Sequence, residues 1–357
     1  MKNLDVGRRI SMLRFLMIFG VVVVHTPPTL EVHELDGSTW AYIVSFFQNG
    51  LFMAGVPVLT VISGYLLFGS GSDLKYWALL KKKARTLLVP FMVFNLGHIL
   101  LQIVLRLATG KWLGEDLFAQ DIDAWMNSLF SLRKAPENDP LHFLRELIVL
   151  VVLSPIFGLL IRKAPIAGFA AVSLFFLTNS DGFLMNRTDM ATEFYLGGLA
   201  AVYRWDVKAL DKYWLDSLLI LCVASAMVTL FAIRDVTWLR LMAPILVWSA
   251  ASRLVDRPLG AWFGHLSMYS FFIYVTHAPL LRICWIVFQK AFPAVPVALF
   301  TTIAPFAVVC ACIGLYKLLS AWAPVPFDWA LGSRGDKVRT TPKPPSILEQ
   351  PLVKTES

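Results

Sequence analysis

The sequence predicts an all-α fold, a polytopic membrane bundle of about ten transmembrane helices with the N-terminus and C-terminus both cytoplasmic. Three observations carry that expectation. Of 357 residues, 57% are hydrophobic and 16% charged, with a mean hydropathy of +0.65, whereas a soluble domain carries about 25% charged residues. The apolar residues gather into ten runs, each long enough to cross or nearly cross a bilayer. Lys and Arg crowd into every second connection between those runs.

The first run, 10–26, follows Arg8 and Arg9 and leads into Thr26, Pro27 and Pro28. It lacks a small-residue cleavage site, so it reads as a retained span. The second, 43–68, and the third, 86–108, are separated by Lys75, Lys81, Lys82, Lys83 and Arg85. Runs 142–161 and 165–180 flank Arg162 and Lys163; 191–203 and 214–233 flank Arg204, Lys208 and Lys212. Run 238–252 is followed by Arg253 and Arg257, and 264–288 and 296–322 complete the bundle. With the N-terminus and the basic end of the chain, one side holds 20 of the 32 Lys and Arg. The other holds only Lys111, Arg133, Lys134, Arg187, Arg234 and Lys290. The basic side is the cytoplasmic one.

That distribution makes the net charge of +8 a topology signal and argues against a nucleic-acid partner; the expected partner is the bilayer. Residues 1–322 are expected as one transmembrane domain and 323–357, rich in Pro, Ser, Lys and Thr, as a disordered cytoplasmic tail. Cys222, Cys284, Cys310 and Cys312 all lie in apolar runs and read as small hydrophobes, not as disulfides or metal ligands. The connection 109–141 holds Glu115, Asp116, Asp121, Asp123, Glu137 and Asp139 with Trp112 and Trp125. Those tryptophans read first as interface anchors and second as a carbohydrate platform.

Ionisable groups inside a span are costly and therefore informative. The first run carries two, Arg14 and His25. Eleven residues at about 100° each return the second side chain to within about 20° of the first, about 16 Å further along the axis. One helix face thus carries a guanidinium near the cytoplasm and an imidazole near the far side. Arginine offers a planar set of donors to phosphate or a polarised carbonyl. Histidine takes a hydroxyl proton near neutral pH. The opposing reading has Arg14 snorkelling to the inner headgroups and His25 resting at the outer interface. In the ninth run Ser270, Tyr274 and His277 share a helix face, where polar groups link helices or line a site. His98 reads as a hydrogen-bonded core residue.

Six segments occur in order: Arg14 with His25, the Gly55 to Tyr65 stretch, the basic Lys81 to Pro90 segment, His142 to Leu147, Phe194 to Gly198, and Ser267 to His277. From about residue 8 to about residue 320 the chain resembles the acyltransferase family 3 membrane proteins, which move acyl groups onto bacterial surface glycans. The resemblance implies acyl-coenzyme A as co-substrate, a sugar hydroxyl as acceptor, and residence in the bacterial inner membrane. It implies no bound cofactor, in keeping with the lack of clustered Cys and His ligands. It points to His25 as general base with Arg14 on the donor side; an acyl-histidine intermediate is the alternative.

Lys82 and Arg85 stand where the family pattern has paired arginines, so the donor's phosphates would rest more on Arg85. Positive-inside charge meeting anionic lipid is the competing account. Arg145 and Glu193 are candidates for positioning acceptor or acyl group, against structural ion pairing, and His277 matches the family's late histidine. His142 stands where relatives often carry Trp and receives no role. The expected activity is acyl transfer to an exopolysaccharide or related glycan, acetyl favoured and succinyl close behind. A glycan or lipid-linked-sugar transporter is the alternative, weakened by the lack of an internal repeat. A scaffold working with polysaccharide assembly proteins is a third reading.

Overall fold

The computed structural model describes residues 2–109, 121–132, 135–182 and 184–333. Lys111, Trp112, Glu115, Asp116, Arg133 and Lys134, and the tail from Arg334 onward, lie outside the described residues. Among those described the secondary structure is helical, with no strand.

Helix α1 (Lys2–Val24) runs through the bundle. α2 (Thr39–Ser45), capped by the Ser38 hydroxyl accepting from the Ala41 amide, continues through a π turn and a 3₁₀ turn into α3 (Gly55–Gly69). α4 (Tyr76–Lys83) continues through a second π turn, Ala84–Leu88, into α5 (Val89–Thr109). The short α6 (Ile122–Phe130) follows, then α7 (His142–Lys163), α8 (Pro165–Leu177) and α9 (Asp189–Val202). α10 (Trp214–Leu230) and α11 (Thr237–Ala250) pack on each other. α12 (Pro258–Leu266) leads almost without a break into α13 (Ser270–Ala291), and α14 (Val297–Trp322) and α15 (Pro324–Ala330) close the described chain.

Among the described residues, six helical rods are long and apolar enough to cross a membrane: Thr39–Gly69, Ser72–Leu107, Asp139–Lys163, Val207–Leu230, Pro258–Ala291 and Val297–Trp322. They match six of the ten expected spans. The other four are helical too, but each lacks one requirement. α1 carries Arg8, Arg9 and Arg14, which interrupt its apolar run. α8, α9 and α11 have 13 or 14 residues, about 20 Å of helix against a hydrocarbon core of about 30 Å. Leu100, Val104, Leu159, Phe306 and Leu318, each more than half exposed, cover the outside with the apolar surface that lipid requires.

The closest helix pair is α3 with α9. A Cβ on Gly64 would lie 2.1 Å from the Phe194 carbonyl oxygen, and one on Gly197 would lie 2.1 Å from that of Val61. Only glycine admits such backbone approach, the usual device for helix association where lipid removes the hydrophobic drive. α1 packs against α3, α12, α13 and α14, which makes the helix bearing Arg14 and His25 central. At its N-terminal end Arg9 forms a two-pronged pair with Asp211 (2.7 Å each) and lies over the Trp248 ring. Asp5 pairs with Lys208 and Arg8, and Arg8 also reaches Asp256. The Lys208 hydrogen bond, then that of Arg8, holds the Asp5 carboxyl down at about 2. The first residues beyond 322 are ordered: α15 packs Phe327 against Phe272 and Tyr316, and Leu331 is buried.

Candidate active site

The site forms at the C-terminal end of α1, where a helix leaves carbonyls without intrahelical donors. Side chains supply those donors. His25 Nδ1 donates to the Val21 carbonyl at 2.8 Å, and Thr26 Oγ1 donates to that of Val22 at 2.8 Å. Gln48, from the π turn between α2 and α3, donates Nε2 to Val23 at 3.2 Å and to Thr26 at 2.8 Å. A carbonyl can only accept, so Nδ1 of His25 carries the proton and Nε2 is the nitrogen left for chemistry.

That Nε2 stands 3.5 Å from a carboxylate oxygen of Asp139, whose side chain is 66% exposed. The site is therefore reached from the surface on this side. Asp139 is held by a tightly braced loop. Asn95 donates to the Ser128 and Leu129 carbonyls at 2.7 and 2.9 Å and accepts from the Asn138 amide at 3.1 Å. Asn138 Nδ2 donates to the Val275 carbonyl at 3.2 Å. The Tyr274 hydroxyl donates to the Pro140 carbonyl at 2.5 Å and accepts from the Leu144 amide at 3.2 Å. α5, α6, α7 and α13 thus fix one carboxylate against the end of α1.

Two further imidazoles join them. The His277 ring centroid is 5.3 Å from that of His25, with the planes at 72°. His277 Nδ1 lies 3.1 and 2.9 Å from the Ile273 and Tyr274 carbonyls, and His142 Nδ1 lies 2.8 Å from that of Asp139. In both residues Nε2 is buried and without a partner among the described residues. All three histidines spend their Nδ1 proton on a backbone carbonyl and keep Nε2 for something else. Buried polar atoms normally find partners, so two open nitrogens beside an accessible carboxylate mark a place for a hydroxyl-bearing ligand. Among the described residues, no three His, Cys, Asp or Glu are arranged to hold a metal ion.

The other expected site residues fall elsewhere. Arg14 sits deep among the helices, yet its side chain is solvent-accessible and lacks a hydrogen-bond or ionic partner among the described residues. Lys82 is exposed at the end of α4, and Arg85, exposed in the following π turn, donates to the Ser333 hydroxyl. Neither touches the histidine cluster. Arg145 is a brace: Nε donates to the Ser131 carbonyl at 3.1 Å, Nη2 to Leu132 at 3.4 Å, and Nη1 to the Leu184 carbonyl and to both Glu146 oxygens at 3.2 Å. Glu146, fully buried, also accepts the Asn186 amide at 3.0 Å. Glu193 is buried at 1% exposure beside Arg187, Arg240 and Asp189.

The structure brings His277 beside His25 and adds Asp139 and His142. Both added residues stand in the segment just before α7, where an Asp three residues ahead of a His was the available signal.

Among the described residues the chain is an all-helical bundle with an apolar exterior, six membrane-length rods and a histidine–carboxylate cluster at a helix end, the architecture of a polytopic membrane protein. Residues 8–317 match the acyltransferase domain of acyltransferase family 3, and the chain belongs to that family. It is 29% identical over 362 residues, 96% of each chain, to the succinoglycan biosynthesis protein ExoH of Rhizobium meliloti (strain 1021). No solved structure matches it.

Proposed function

We propose that this membrane acyltransferase transfers a small acyl group, acetyl or succinyl, from acyl-coenzyme A to a sugar hydroxyl of a bacterial exopolysaccharide, in the inner membrane. The observation that carries the reading is the His25 arrangement: Nδ1 fixed on the Val21 carbonyl and Nε2 facing the Asp139 carboxylate at 3.5 Å. The similarity to a succinoglycan biosynthesis protein supports a polysaccharide acceptor.

In this mechanism the acceptor hydroxyl gives its proton to His25 Nε2 as its oxygen attacks the thioester carbonyl carbon. The carbon–sulfur bond breaks, and the departing sulfur takes the proton back from the imidazolium. The products are the sugar ester and free coenzyme A. Asp139 stabilises the transient imidazolium by ion pairing. His277, without a proton on Nε2, accepts a hydrogen bond from the acceptor. Arg14, about 16 Å along the same helix, serves the donor across a gap that the extended arm of coenzyme A spans.

The test is chemical analysis of the esters on surface glycans from cells with and without the protein. Loss of one ester identifies the acyl group and the acceptor together. An unchanged ester profile, with radiolabelled acyl groups failing to enter glycan in isolated membranes, overturns the reading. Movement of unmodified glycan across the membrane would instead favour transport.

A further inference from the structure

Beside the histidine cluster lies a second polar region, between α3, α9 and α11, that acyl transfer as drawn above does not use. Glu193 is 1% exposed, and neither carboxylate oxygen has a hydrogen-bond partner among the described residues. Nε of Arg240, from α11, is buried and equally unpartnered, as is the hydroxyl of Thr192. Arg240 and Glu193 are electrostatic neighbours, and Thr60 of α3 faces Glu193. Arg187, paired with Asp189 at 2.8 and 3.0 Å, stands near Glu193 on one side and near His142 on the other. The region therefore adjoins the catalytic histidines.

Charge and hydrogen-bonding capacity define what fits. Two guanidinium groups, Arg187 and Arg240, face two carboxyl groups, Asp189 and Glu193. What is open is the Glu193 carboxyl group next to the Arg240 Nε–H donor, so the ligand must both donate and accept hydrogen bonds. A ring bearing several hydroxyls meets that demand; an acyl chain does not. Leaving such groups unpaired in a buried site is costly, which is why they point to an occupant and not to a packing role.

We propose that these side chains bind a second sugar ring of the acceptor, adjacent to the ring that is acylated, so that the enzyme reads at least a disaccharide. The proposal rests on the glycan acyltransferase reading. Its test uses the full-length protein in membranes, labelled acyl-coenzyme A, and de-esterified succinoglycan oligosaccharide as the acceptor probe. Glu193→Gln and Arg240→Gln should each raise the acceptor KM about tenfold or more, the effect of losing a hydrogen bond to a charged group. The donor KM should stay within about twofold, because only acceptor binding is lost. If either variant fails to accumulate, Arg240→Lys, which keeps the cation but not the Nε–H, carries the same expectation. As a readout independent of turnover, the oligosaccharide should raise the melting temperature of the detergent-solubilised parent and do so less in the variants. An unchanged acceptor KM, equal changes in both KM values, or a full ligand-induced shift in the variants overturns the second subsite alone. Unaltered protein that labels no glycan overturns the acceptor reading and this proposal with it.

Discussion

At the residue scale, the proposed chemistry depends on one imidazole whose orientation is set by the helix that carries it. His25 holds its own helix-end carbonyl through Nδ1, so its tautomer is fixed by backbone geometry and its Nε2 points at Asp139. His25→Ala should lower acyl transfer by at least about a hundredfold, the lower range for removing a general base, while the protein still accumulates in membranes. Retained transfer would end the general-base assignment. Asp139→Asn keeps the size and the loop but removes the charge that meets the imidazolium. It should lower kcat by about tenfold to a hundredfold with donor KM unchanged, since Asp139 acts on the proton acceptor and not on donor binding. Asp139→Glu should recover part of that loss. A fall in protein amount without a fall in kcat per molecule would make Asp139 a structural residue only. His25 drew attention in the sequence as an ionisable group on one helix face with Arg14, and His277 through the family resemblance, whereas His98 in its own apolar run read as core. Asp139 and His142 were not legible there, because their placement depends on Asn95, Asn138 and Tyr274 bracing a loop across long sequence separations. Arg145 shows the converse: its charge drew attention, but four carbonyl and carboxylate partners occupy it.

At the scale of elements, the contact between α3 and α9 sets the frame in which Glu193 and Thr60 face each other. Gly64→Ala or Gly197→Ala drives a methyl into backbone at 2.1 Å, and backbone cannot step aside as a side chain can. Each should cost about 1–3 kcal/mol, read as a lower melting temperature in detergent and less protein in membranes. Gly314→Ala, with nothing within 4 Å, is the control and should be neutral or slightly stabilising. Equal behaviour of all three would refute the close-approach argument. The N-terminal turn of α1 offers a pH test. The Asp5 carboxyl titrates at about 2 when folded, below its ordinary 3.8. A depressed acid stabilises the fold above its unfolded value and loses that contribution as pH falls through the folded one. Asp5→Asn should therefore melt slightly below the parent at pH 6, with the gap closing between about pH 4 and pH 2. The partners are solvent-exposed, so the effect is small and should shrink further in high salt. Helix existence was legible throughout, from apolar runs alone. Span status was less so: α8, α9 and α11 have the composition of membrane helices but not the length, since polar turns such as Asp206 to Lys208 and Arg234 to Asp235 cut them short.

At the scale of the whole molecule, charge asymmetry and tertiary contacts point the same way. Three connections that the charge pattern assigns to one side meet through ion pairs: Arg9 with Asp211, Arg8 with Asp256, and Asp5 with Lys208. His25, Asp139 and the Arg187–Asp189 pair gather at the opposite end of α1 from that cluster. A basic end facing the cytoplasm would put donor entry there and the histidine site towards the outside, where growing surface glycan is met. Introduced cysteines test this orientation in intact cells with a membrane-impermeant maleimide. Asp36→Cys, in the connection after α1, should label without permeabilisation; Asp256→Cys, beside Arg8, should label only after it. Cys284 and Cys310 lie in apolar helices, and without water to form the thiolate they should contribute little background. The reverse pattern would turn the molecule over and place the acceptor hydroxyl on the cytoplasmic side. His25 would then have to meet donor and acceptor from the same compartment, and Arg14, at the far end of the helix face, would have no donor to serve.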